Sequence, residues 1–327
     1  MKKFLLLSIT EYLLWADGGI LPPDNYEVYG ADQVAIIKIL PDSEELFILV
    51  KFESVTDYQG FAWIVPLPAL PEVSGASESL FINLSALSGN RQRYGGCGTG
   101  YYGGYDYGED YFKIIEYQNI GFLETVLIQT DDVDSLSNWL INNGYELPEG
   151  TKAILQDYIN RLWQYFFIAR ADTSQYYYYA NTGVSLKFHT DTIVYPMKIS
   201  SISSTPNTTL YLYIIGAHKM FFDDAELLYA NRISKEELSA IEEDLPYLFN
   251  YIKEGDYITK LRRIYGSPSQ MNTDIVIYQS PDDTEYRTEE RPSYWYFGFA
   301  NSMFLPFLLY TFYLILLKIK KRKSNHK

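Results

Sequence analysis

From Tyr294 to Leu317 the chain reads YWYFGFANSMFLPFLLYTFYLILL, without a single charged residue. About 20 consecutive apolar residues are needed to cross a bilayer as a helix. Tyr294, Trp295 and Tyr296 stand at the start of the segment like an interfacial aromatic belt, and KIKKRK follows its end. By the positive-inside rule the basic end is cytoplasmic. Pro306 is tolerated, because membrane helices accommodate proline. These residues therefore predict a transmembrane helix over 294–317, a basic cytoplasmic tail over 318–327 and a body outside the membrane.

The N-terminus is consistent with that topology. In MKKFLLLSITEYLLWADGG a basic start, Lys2 and Lys3, precedes an apolar stretch, Phe4 to Trp15, and a small residue, Ala16. The pattern resembles a secretory signal peptide over 1–16. Glu11 interrupts it, and Leu14 stands where a small residue is expected; the competing reading is a core helix with a basic start. The body spans 17–278, and QSPDDTEYRTEERPS, within 279–293, reads as a polar juxtamembrane linker.

Charge narrows the partners. The net charge is −14, and eight cations lie at the two ends: Lys2, Lys3, Lys318, Lys320, Lys321, Arg322, Lys323 and Lys327. With those eight removed, the part between carries −22. Such a body repels phosphate backbones, so no nucleic-acid partner is expected. One cysteine, Cys97, excludes an intramolecular disulfide and a thiolate zinc site.

The body reads as α+β: two β-rich blocks with intervening helices, plus the one C-terminal transmembrane helix. In the first block, QVAIIKIL (Gln33 to Leu40) and LFILVKF (Leu46 to Phe52) flank a Pro-led turn, as in a hairpin. FAWIV continues as a third strand that is expected to end at Pro66, because proline donates no ladder hydrogen bond. PLPALP then leaves the sheet as an extended strap. That strap is either a rigid exit or a preformed surface for a partner, with Trp63, Pro66 and Pro68 as its binding residues.

The Gly- and Tyr-rich stretch over 88–112 is a low-complexity loop insertion. Phe112 to Tyr117 and Glu124 to Gln129 are strands. Asp132 or Asp134 caps a helix that stops at Asn143-Gly144. Thr151 to Ala171 carries helical spacing. The second block holds strands at Val184 to Phe188, Thr192 to Ile199, Thr209 to Ile215, Asp256 to Arg263 and Asp274 to Tyr278. A short helix is expected at Asp223 to Tyr229, and another after Ser234, with Glu237 completing a capping box.

Several of these phrases together, DQVAIIKIL, FAWIVPLPALPEV, SLSNWLINNGYELP, VSLKFHTDTIVYPMKISS and TLYLYIIGAHKM, resemble the family called domain of unknown function 2330. The Trp-x-Val-Pro-x-Pro phrase, Trp63 to Pro68, is the most specific element. The resemblance starts near Ala16 and runs to about Tyr278. It implies an envelope protein of bacteria or archaea, and it implies no activity and no catalytic residues.

No HExxH, GxSxG, P-loop or CxxC pattern is present. His189 and His218 follow strands, and each has aspartates nearby: Asp191, Asp223 and Asp224. They pose two readings: a metal pair or general base, or two structural histidines. Asp131, Asp132, Asp134, Asp282 and Asp283 lack the spacing of a calcium loop and suit helix capping and solvation. The tyrosines of the 88–112 loop and of Gln175 to Tyr179 offer stacking rings. Asn83 and Asn207 begin glycosylation sequons. The expectation is a membrane-anchored extracytoplasmic protein of unknown activity, a binding or structural envelope module, with an envelope protein or a glycan as partner and no cofactor. The alternative is an envelope hydrolase or metal-dependent enzyme using His189 and His218. A sensor acting through the span would need a separate partner, since the tail is short.

Overall fold

The computed structural model describes residues 13–15, 18–21, 29–30, 32–53, 61–89, 112–171 and 179–287. The 294–317 segment and the first twelve residues lie outside them. Among the described residues no helix is long and apolar enough to cross a membrane.

In chain order the first strands are β1 (Leu13–Trp15), β2 (Gly19–Leu21), β3 (Tyr29–Gly30), β4 (Gln33–Ile39), β5 (Ser43–Glu53), β6 (Ala62–Leu67) and β7 (Glu72–Ala76). After helix α1 (Glu78–Leu87) come β8 (Phe112–Ile120) and β9 (Leu123–Thr130), then helices α2 (Val133–Asn142) and α3 (Thr151–Asn160). The rest is β10 (Tyr165–Ala171), β11 (Tyr179–His189), β12 (Val194–Tyr195), β13 (Thr208–Gly216), β14 (Met220–Phe221), β15 (Glu226–Arg232), α4 (Lys235–Asp244), α5 (Pro246–Phe249), β16 (Tyr257–Tyr265), β17 (Ile275–Val276), β18 (Tyr278–Gln279) and β19 (Tyr286–Arg287).

Two sheets stack face to face, with helices outside each. The small sheet runs β2-β6-β10-β9-β8, all antiparallel. The large sheet runs from β19 through β15, β16, β13 and β4 to β5, and β11 pairs with both β5 and β7. Alternation decides the layers. On β6, Trp63, Val65 and Leu67 face the core between the sheets, where they meet Ile37, Leu46, Ile48 and Leu186. Ala62 and Ile64 of the same strand face α2 and α3, against Leu136, Leu140 and Leu155. The outer face of the large sheet, with Ile36, Phe47 and Ile215, is closed by Leu80 and Leu84 of α1, Ile241 of α4 and Leu248 of α5. A strand buried on both faces needs a run of apolar residues rather than alternation, and every residue of β6 is buried.

This architecture corrects several expectations. The two β-rich blocks are not separate: β4 and β5 of the first pair with β13 and β11 of the second within one sheet. The strand does not end at Pro66. It continues to Leu67, and Pro66 lies opposite Phe166 of β10. On the other side β2 covers only Ala62 to Ile64, so no described strand asks Pro66 for the N–H it lacks. Only Pro68 to Pro71 form the link that carries the chain from the small sheet to β7 in the large one.

The helix expected over Thr151 to Ala171 stops at Asn160. Leu162 takes φ +65°, and Tyr165–Ala171 becomes the centre of the small sheet, between β6 and β9. The helix expected at Asp223 to Tyr229 is instead β15, held by β16. Thr192 to Ile199 shortens to the two residues of β12, and a 3-10 turn over Lys198–Ile202 follows. The polar segment begun at Gln279 is docked through Arg287: Gln279 pairs with Met220, and Tyr286 with Ala230. The caps are where the sequence puts them. Asp132 accepts from the N–H groups of Asp134 and Ser135, and Ser234 and Glu237 form a reciprocal capping box.

Candidate functional site

Helix α3 delivers Asp157 and Arg161 four residues apart, on one face. Arg161 reaches Asp157 Oδ2 at 3.0 Å and Asp274 Oδ2 at 2.8 Å. The left-handed turn at Leu162 then folds Trp163 back, so that its N–H donates to the Tyr158 carbonyl at 3.0 Å. The Arg161 guanidinium lies over both rings, 4.5 Å from the Tyr158 centroid and 5.1 Å from that of Trp163.

Asp274, just before β17, ties this corner together. Its side chain is 4 % exposed. Oδ1 accepts from the Tyr158 hydroxyl at 2.6 Å and from the Lys198 N–H at 2.9 Å. The Tyr158 hydroxyl in turn accepts from the Ile199 N–H at 3.1 Å. Burial, then the Asp274 charge, push the Tyr158 hydroxyl well above the usual tyrosine range, so it stays a donor. Lys198 Nζ binds Asp157 Oδ2 at 2.9 Å, and this hydrogen bond is the main cause holding the Asp157 carboxyl low. Burial pulls Arg161 down, but its bonds to Asp274 and Asp157 outweigh that, and the net shift is upward.

Asp157, Arg161, Lys198 and Asp274 line a cleft of about 540 Å³ together with Pro68, Trp163, Asn272, Thr273 and residues of the turn from Thr190 to Val194. That turn is held from within and from below. Thr190 Oγ1 donates to the Thr192 carbonyl at 2.7 Å and accepts from its N–H at 3.2 Å, which leaves Asp191 exposed at the tip. The Val194 N–H donates to Oε2 of Glu44 at 2.9 Å. Glu44 is fully buried in β5, its Oε1 has no partner among the described residues, and burial pushes its carboxyl up to about 8.

The residues singled out in the sequence are dispersed. Trp63 is fully buried, edge-on to Phe167 at 5.6 Å, and Pro66 is buried beside β10. Neither presents a surface to a partner. Pro68 alone of the three lines the cleft. His189 ends β11, exposed, next to the turn that carries Asp191. His218 follows β13, exposed, with Nδ1 3.0 Å from Asp283 Oδ2, which also pairs with Arg232 at 2.6 Å.

Both histidines lie at the same end of the large sheet. Strands β4 and β5 stand between β13 and β11, so three strand spacings, roughly 14 Å, separate the two positions. Among the described residues no three His, Cys, Asp or Glu side chains gather to hold a metal. Asp224 pairs with Arg263, and Asp134 with Lys152. Asn83 Oδ1 accepts from the Leu248 N–H, whereas Asn207 is exposed. Cys97, with residues 90–111, and Gln175 to Tyr178 lie outside the described residues.

Arg161, Trp163, Lys198, Asp274 and Glu44 were not singled out. Only the Asp157–Arg161 pair has a local signal, its spacing on a helix.

The fold and site together define a four-layer α+β protein with a charged cleft between α3, the 3-10 turn and the loops before β12 and β17. Residues 18–278 match the family model described as an uncharacterized protein conserved in bacteria, DUF2330, and the chain belongs to that family. Among curated proteins none matches it. Two solved structures align over 76 % of the chain: baculovirus P35, at 9 % identity over 96 % of its own length, and a mutated baculovirus P35 after caspase cleavage, at 8 % identity over 100 %. Both have a TM-score of 0.37.

Proposed function

We propose that the chain is a binding module of the bacterial envelope, held to the membrane by 294–317 with its body outside, and that its cleft takes a hydroxyl-rich glycan. The observation that carries this reading is the half-buried Trp163 ring set beside the polar side chains of Asn272, Thr192 and Thr273 in one cleft. A sugar has an apolar C–H face and a rim of hydroxyls. An aromatic ring matches the first and acceptors match the second. The volume suits a few sugar units, within the range of small-ligand pockets, about 300–1,000 Å³.

Catalysis has less support. The charged groups deepest in the cleft are bonded to one another, and the residues named for a metal-dependent hydrolase, His189 and His218, belong to strands that are not neighbours. The test is a titration of the full chain with neutral and amino-sugar oligosaccharides, followed by tryptophan fluorescence. The expected result is a saturable change that is lost in Trp163→Ala while the fold is retained. No change with any of the oligosaccharides, or an equal change in Trp163→Ala, overturns the reading.

A further inference from the structure

The hydrogen-bonding capacity of the cleft is spent unevenly. Its two cations are tied inward by their closest bonds, although each keeps further N–H groups. Arg161 gives Nη1 to Asp274, Nη2 to Asp157, and Nε to the Asp157 carbonyl at 3.4 Å. Lys198 gives its backbone N–H to Asp274 and its ammonium to Asp157. The Val194 N–H goes to Glu44, and the Thr190 hydroxyl to the Thr192 carbonyl.

The acceptors are not used up. Both ion pairs on Asp157 fall on Oδ2, so Oδ1 remains. Asp191, exposed at the tip of its turn, has no partner among the described residues. Three carboxylates and two cations line the cleft, which leaves an excess of one negative charge, and the surrounding chain is itself strongly acidic.

A cleft with a net negative charge and an unpaired carboxylate at its rim favours a ligand that brings positive charge. We infer that the cleft prefers a glycan bearing free amines, an oligomer of de-N-acetylated amino sugars, over the same glycan with its amines acylated. The inference rests on the glycan reading above. Asp191 is the discriminating residue and Asp157 Oδ1 the second acceptor. An ammonium group gains a charge-assisted hydrogen bond at each of them, and attraction to the acidic body raises its local concentration. An acidic glycan meets the same carboxylates as repulsion.

The probes are glucosamine tetramer and its fully N-acetylated counterpart, which differ only at the amine. The full chain is titrated with each at low and at high salt. The expected result is tighter binding of the amine form at low salt, by about fivefold, as suits an exposed charge pair. That preference should shrink at high salt, because surface charges are screened, and should fall toward unity in Asp191→Asn. Asp191 is a surface residue with no bonds to lose, so the variant folds. Equal or tighter binding of the acetylated form overturns the inference and leaves the glycan reading in place. A preference that Asp191→Asn does not change also overturns it. Binding of neither tetramer overturns both.

Discussion

Glu44 makes the pH dependence of this protein calculable. Among the described residues its carboxyl, which sits between the sheets, has one hydrogen bond, from the Val194 N–H at 2.9 Å, and Oε1 has none. Desolvation raises its pKa from 4.5 to about 8, against the small opposing pull of that backbone N–H. Between those values the folded chain holds a proton that the unfolded chain has released. Stability therefore falls as pH rises from 4.5 to 8, and Glu44 adds no slope outside that window. At about 1.4 kcal/mol per unit, the loss across the window is on the order of 5 kcal/mol. The carboxylates held low, Asp132, Asp157, Glu237, Asp282 and Asp283, act in the opposite sense, losing stability as pH falls below the ordinary carboxylate range. The fall toward alkaline pH is thus assigned to Glu44. Glu44→Gln keeps the shape and removes the titration. Its buried amide brings its own constant cost, about 1–3 kcal/mol, so the slope and not the level is diagnostic. The assay is urea unfolding of both proteins at pH 5, 6.5 and 8. The parent should lose most of its extra stability by pH 8, while the variant stays nearly flat. Parallel curves for the two proteins would refute the reasoning.

Tyr158→Phe removes a hydroxyl that donates to Asp274 and accepts from Ile199; urea unfolding should show a loss of about 1–3 kcal/mol. Asp274→Ala should cost more, because the Tyr158 hydroxyl and the Lys198 N–H both lose their shared acceptor, at about 1–3 kcal/mol each, while Arg161 keeps Asp157; the double variant should fall short of the sum of the two. Gly183→Ala places a methyl group 2.4 Å from the Ala76 carbonyl oxygen, so β7 must shift from β11; faster hydrogen exchange confined to 72–76 and 183–187 is the expected readout. In a bacterial host the full chain should fractionate with membranes, deletion of 294–317 should release it, and the mature N-terminus should begin at Asp17. Such processing removes β1, which pairs at two positions with β5 and at two with the two-residue β3 at the end of the sheet, so the fold should survive it; an intact N-terminus on the mature protein defeats the signal reading.

Local rules read this chain well where local chemistry decides. The Pro-led hairpin of β4 and β5, the Asp132 cap and the Ser234–Glu237 box each depend on residues a few positions apart, and each is found. Reading failed where burial on two faces erases periodicity. In TKAILQDYINRLWQYFFIARA the apolar spacing of Ile154, Leu155 and Tyr158 continues into Phe166 without a break. The second half is nevertheless a central strand, because both its faces are covered: Phe167 and Ala169 by the large sheet, Phe166 and Ile168 by the helices. The Ala225 to Leu228 stretch is helix-prone by composition, yet pairing with β16 overrides that weak preference. Helix α1 was missed because its apolar residues show little preference for one face, although Ser77 caps it.

The cleft was less legible still, for a related reason. Its chemistry is assembled by contacts such as Tyr158 to Asp274, 116 residues apart. Asp274 in the sequence MNTDIVIY is one more aspartate in an acidic chain. What makes it distinctive is the Tyr158 hydroxyl beneath it, and that hydroxyl points there only because α3 packs its Leu155 and Ile159 onto the small sheet. Trp63 and Pro66 form the most recognisable phrase in the chain, yet they serve the core. Their link to the cleft is indirect. The strand they form ends at Leu67, directly before Pro68, which lines the cleft, and β10, to which they are bonded, begins two residues after Trp163. The strand therefore fixes the spacing between the proline link and the tryptophan. A substitution that loosened the Pro66–Phe166 pairing should weaken ligand binding at Trp163 without touching any residue that meets the ligand.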